Sequence, residues 1–140
     1  MKLDESGLKL EQSFLIRKMA FIIEEASKTY DLADFFNKFA KSDFFYKCFD
    51  DETIFSQSPK YVLALFFEEC KDSIKERTMY EEDIAYWMGY LIGEWYTRHF
   101  FNPRELTFDD IEWLRDNFDT LHTQSVRYVY NLYNDERCRE

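Results

Sequence analysis

A chain of 140 residues, 46% hydrophobic and 20% aromatic, is long enough to bury a core and too apolar to be disordered. With only 3 glycines and 2 prolines it lacks the turn chemistry of a many-stranded β fold, so the predicted class is all-α. The formal net charge of −10 falls on both halves, −4 over residues 1–70 and −6 over residues 71–140; such a surface repels nucleic-acid phosphates and anionic membranes and suits a basic protein partner.

Met1 to Glu11 is charged and has no long apolar run, so it does not read as a signal peptide. The first helix is predicted over Leu8–Thr29, where Leu15, Met19, Ile22 and Ala26 form one stripe that Ile16, Ala20 and Ile23 widen. Asp31 reads as the N-cap of a short helix carrying Leu32, Phe35, Phe36 and Phe39, and Ser42 as the cap of another reaching Phe49. After a polar connection over Asp50–Gln57, Ser58-Pro59 is a start signal, a hydroxyl cap followed by proline at the first helical position. That helix buries Val62, Leu65 and Phe66, and Ile74 extends it into the junction Lys71–Thr78.

A second long helix is predicted over Met79–Phe101, with Ile84, Trp87, Met88, Leu91, Ile92 and Trp95 on its buried side and Asn102-Pro103 as its stop. Thr107 with Asp110 approximates a capping box for a helix that turns Ile111, Leu114 and Phe118 inward. Ser125 caps the last helix, which carries Val129 and Leu132, and Asn134–Glu140 is expected to fray. No stretch offers about 18 uncharged apolar residues in a row, so no membrane span is expected. Three widely spaced cysteines fit reduced thiols in the cytoplasm.

The chain repeats itself. Thr53, Gln57, Ser58, Tyr61, Val62 and Leu65 recur as Thr120, Gln124, Ser125, Tyr128, Val129 and Leu132, and Asp43 recurs as Asp110. Upstream, Met19, Ile23 and Glu25 answer to Met88, Ile92 and Glu94. The expectation is one domain over 1–140, a compact bundle of about six to eight helices. Two similar units, 8–75 and 79–136, would pack in a pseudo-twofold arrangement. Each repeated residue has a structural role. Ser caps the helix, Tyr, Val and Leu pack inward, and Thr fixes the preceding turn.

Gly89 and Gly93 lie inside a predicted helix, where each costs about 1 kcal/mol relative to alanine. With Ala85 they form a small-residue stripe that lets another helix approach closely, the first helix being the nearest candidate. Aromatic residues surround nearly the whole circumference of the same helix, more than one core face uses. Trp87, Tyr90, Trp95, Tyr96 and Phe101 are therefore candidate partner-binding residues, joined by His122 from the second repeat unit. His122 stands where the first unit has Phe55, and together with His99 completes the histidines. Neither has a glycine-rich elbow or oxyanion nest in sequence, so no catalytic residue is assigned. Two histidines and scattered thiols give no metal-ligand spacing and no phosphate-binding glycine loop is present, so no cofactor is expected.

Two stretches carry a resemblance. Phe118-Asp-Thr-Leu-His-Thr-Gln-Ser-Val-Arg-Tyr-Val-Tyr130 resembles the closing motif of a family of small bacterial proteins: an aromatic residue, Leu-His-Thr, then Ser and a Tyr-Val helix. Tyr86-Trp-Met-Gly-Tyr-Leu-Ile-Gly-Glu-Trp95 is similar to the Trp-x-Gly-Tyr…Trp helix of a second small family from the same neighbourhoods. The first unit departs from the closing motif, with Ile54-Phe55-Ser56 where the second has Leu121-His122-Thr123. Members of both families are encoded beside toxins resembling ADP-ribosyltransferases and are taken as their antitoxins. The resemblance implies an antitoxin or immunity-type protein that covers a toxin enzyme, and it brings no catalytic residues with it. The alternative is an acidic inhibitor from a phage or mobile element that imitates nucleic acid.

Overall fold

In the computed structural model, which describes residues 10–71 and 73–138, the chain folds as a bundle of α-helices. In order these are α1 (Leu10–Ser27), α2 (Leu32–Ala40), α3 (Asp43–Asp50), the single turn α4 (Glu52–Phe55), α5 (Pro59–Glu69), α6 (Glu82–His99), α7 (Phe108–Asp116), the single turn α8 (Phe118–Leu121) and α9 (Val126–Cys138). A 3-10 turn at Pro103–Glu105 joins α6 to α7. Among the described residues the only β pairing is an isolated antiparallel bridge between Tyr30 and Glu76. The expectations for residues 1–9 lie outside the described residues.

The helix starts follow from local chemistry. Asp31, Ser42 and Ser58 each accept a first-turn backbone N–H of the helix that follows. Ser125 does the same for the Tyr128 N–H at 3.1 Å. Thr107 and Asp110 close a full capping box, with N–H···O distances of 3.1 and 3.0 Å in the two directions. At the other end of α6 the chain turns through Phe100 in the left-handed region, φ 55°.

Two 18-residue helices, α1 and α6, form the spine. Gly89 stands against Ala20 and Gly93 against Ile16, so four residues forward on α6 is four residues back on α1, and the pair is antiparallel. A Cβ at Gly89 would lie 2.8 Å from Ala20 Cα and 3.0 Å from Ile23 Cγ1, a distance that only glycine permits. One face of the spine packs on the core. Leu15, Met19, Ile22 and Ala26 of α1 meet Phe35, Phe36 and Phe39 of α2 and Phe66 of α5 in one buried cluster with Met88, Leu91, Ile92 and Trp95 of α6. The phenylalanines interlock edge to face, as Phe35–Phe66 (5.6 Å) and Phe39–Phe45 (6.1 Å) do.

Several expectations are corrected. Helix α5 stops at Glu69, and Ile74 belongs to an extended connection that the α1–α2 turn holds. There Asp31 N–H bonds Lys75 O at 2.8 Å, Arg77 N–H bonds Thr29 O at 3.1 Å, and Lys75 N–H bonds Asp34 Oδ2 at 2.8 Å. Helix α9 runs to Cys138 where fraying from Asn134 was expected. In the repeated unit Val62 and Val129 are buried, but Tyr61 and Tyr128 point outward, each 52% exposed. The order of elements follows the repeat in part, with α3, α4 and α5 answering to α7, α8 and α9. The nine-residue α2 has only a three-residue 3-10 turn in the corresponding place, and Asp43 opens α3 whereas Asp110 sits at the third position of α7. Repeat mates do meet at the spine crossing, where Ala20 and Gly89 stand opposite each other.

Candidate interaction surface

The six aromatic and histidine candidates do not form one patch. Trp95 is fully buried, enclosed by Phe101 (5.5 Å), Tyr130 (5.1 Å) and Tyr133 (5.3 Å), with its indole N–H aimed at Val126 O at 3.4 Å. Phe101 packs beside it at 6% exposure. Both are core residues between α6 and α9 and cannot reach a partner while the bundle is closed, which corrects their assignment as docking anchors. Tyr96, half-buried, lies on the α3 side among Phe45 (5.4 Å), Tyr46 (5.6 Å) and Phe49 (5.0 Å). Burial, then the negative charge of Asp50, raises its phenol pKa.

Trp87 and His122 are brought together through Phe118. The indole of half-buried Trp87 meets Phe118 edge-on at 5.6 Å, and Phe118 stacks on exposed His122 at 4.5 Å. His122 Nδ1 lies 2.7 Å from Phe118 O, which fixes the ring against its own turn. Tyr90 is half-buried on the side of α6 away from the core. Gly89 and Gly93 lie inside the spine, against α1.

The residues that share a surface with Tyr90 are ones the sequence reading passed over. Seven residues make about two turns of helix, so Phe14 and Phe21 stand above one another on α1, about a third of a turn round from Leu15, Met19 and Ile22. They are 47% and 44% exposed. Across the spine Tyr86 meets Phe21 at 5.2 Å, edge to face, and Tyr90 follows one turn along α6. The spine is thus a two-helix layer with its inner face on the core and an outer face of Phe14, Phe21, Tyr86 and Tyr90. Arg17, Glu24 and Asp83 stand on the same face. The signal was present in the sequence as a second apolar stripe on α1, offset by about a third of a turn from the core stripe.

Burial pushes the Cys48 thiol up to about 12, so it stays protonated and unreactive at neutral pH. The cleft between α2, α3 and α5, about 420 Å³, is lined by Lys41, Phe44, Phe66 and Cys70, and Lys41 bonds Asn37. No group of three or more His, Cys, Asp or Glu among the described residues could hold a metal ion. No helix among them is long and apolar enough to cross a membrane. Comparison of the chain with family models, with curated proteins and with solved structures found no match.

Proposed function

We propose that this chain is a non-catalytic protein-binding module of the antitoxin or immunity type, which neutralises a toxin enzyme by covering its active site. The observation that carries this reading is the outer face of the α1/α6 layer. Phe14 and Phe21 are exposed, and Tyr86 and Tyr90 half-buried, on the two longest helices of the bundle and on the side away from its core. Rigid aromatic side chains on regular helices are what a docking face uses as anchors, because little conformational freedom is lost on binding. The net charge of −10, with Glu24 and Asp83 beside the aromatics, suits a basic partner and raises the rate of encounter more than the final affinity. The stretch that resembles an antitoxin-associated helix, Tyr86 to Trp95, lies on this same layer.

The test is co-expression with the product of the adjacent gene, followed by capture and a neutralisation assay at limiting dose. The wild-type chain is expected to hold the toxin. Phe21→Asp and Tyr90→Ala should each weaken the complex by about tenfold or more while helix content is unchanged. Trp95→Ala is the wrong variant for this purpose, since it empties the core. Recovery of no partner, or full neutralisation by Phe21→Asp, overturns the reading. Displacement of the captured protein by a DNA duplex, with Phe21→Asp silent, would transfer the assignment to nucleic-acid mimicry.

A further inference from the structure

We propose that the cleft between the last turn of α6 and the first turns of α9 binds a small tetrahedral oxyanion of the phosphate class, gripped by Arg98 and Arg127. The cleft measures about 270 Å³ and is lined by Arg98, His99, Arg127, Tyr130 and Asn131. Every group there that carries or gains charge at neutral pH or just below it is cationic, in a molecule whose net charge is −10. Glu94 lies beneath the surface at 5% exposure and takes one Arg98 N–H at 2.9 Å, which sets the guanidinium at the wall of the cleft. Arg127 is exposed and makes no ion pair among the described residues. His99 lies flat on Tyr130 at 4.3 Å, so its ring is fixed at the mouth. Two guanidinium forks, an imidazole and an amide lining one cleft are the donor types that take the oxygens of a phosphate or sulfate.

The groups facing His99 are Arg98 and Glu94 from α6 and Arg127 and Tyr130 from α9. Burial holds its pKa below the ordinary value, and the two arginines lower it further against the pull of Glu94. An anion in the cleft opposes the arginines and favours the protonated ring. Binding should therefore strengthen as pH falls through the His99 pKa, and the bound anion should raise that pKa.

The experiment follows the His99 ring and Arg127 side-chain signals by nuclear magnetic resonance while inorganic phosphate is added at constant ionic strength. Saturable shifts are expected, weakened about tenfold in Arg127→Ala, only partly restored in Arg127→Lys, and unchanged in Arg104→Ala outside the cleft. Sulfate, whose charge is constant over this range, serves for the pH series, and acetate tests a carboxylate. Shifts that never saturate, or that chloride alone reproduces, overturn the proposal. So does a curve for Arg127→Ala that matches the wild type, and acetate binding as tightly as phosphate reassigns the cleft to carboxylates. None of these readouts involves a protein partner, so their failure leaves the docking reading untouched.

Discussion

A methyl group added at Gly89 would meet the α1 backbone at 2.8 Å, whereas one added at Gly93 would sit 3.4 Å from Ile16, an ordinary contact. The two glycines are alike in sequence and opposite in consequence. Gly93→Ala should stabilise the fold by up to about 1 kcal/mol through helix propensity. Gly89→Ala should destabilise it by about 1–3 kcal/mol, because the spine must open at its tightest point. Thermal unfolding of the two variants checks the pair. Phe100 gives a second prediction. It is 90% exposed and holds φ 55°, a conformation that costs a non-glycine residue about 1 kcal/mol. Phe100→Gly should therefore exceed Phe100→Ala in stability by about 1 kcal/mol, worth about 3 °C in melting temperature. At this scale the sequence carried the close approach of a helix to the small-residue stripe, but not which glycine it needs. That depends on where the crossing falls, and the crossing is set by packing from both halves. The burial of Trp95 was hidden for a related reason: α6 is aromatic nearly all round, so periodicity could not say which ring α9 would cover.

At the scale of elements, the starts of α2, α3, α5, α7 and α9 were legible because each rests on a hydroxyl or carboxylate within three residues of the N–H it binds. The path of Cys70–Glu81 was not, because its partners, Thr29 and Asp31, lie more than forty residues earlier in the chain. That connection delivers Glu81 to the junction of α6, α2 and α7. Its carboxylate is 4% exposed and leaves Oε2 without a partner among the described residues. Burial raises its pKa above the ordinary 4.5, against Arg115 and the Leu32 N–H, with Asp31 and Asp116 adding to the rise. An unfolded chain ionises this group first as pH climbs. The stability associated with it is thus complete below the ordinary value and lost as pH rises through the raised one. Glu81→Gln should stabilise the protein by about 1 kcal/mol at pH 7 and have little effect near pH 4. Denaturant unfolding at the two pH values reads the difference, and a gain of equal size at both would refute the cause.

At the scale of the molecule, the all-helical bundle was legible from composition, and the proposed docking face only in part. Tyr90 was named from crowding on one helix. Phe14 and Phe21 were not, because α1 has a complete core stripe that already accounts for an amphipathic helix, and a second stripe acquires meaning only once α6 lies beside it. The repeat showed a related limit. It correctly placed matching caps at Ser58 and Ser125, yet short shared motifs did not foretell that a three-residue 3-10 turn stands where the first half has the nine-residue α2.

The antiparallel spine has a consequence for how the chain is made. Ile16, Ala20 and Ile23 are covered by residues 85–93, which leave the ribosome more than sixty residues later. Until then the nascent first half exposes an apolar stripe that it cannot bury against itself, and its core stays open on one side. Folding must therefore wait for the second half, and closure of that long loop sets the pace. A chain truncated before α6 would be a target for chaperones and proteases rather than a smaller working module.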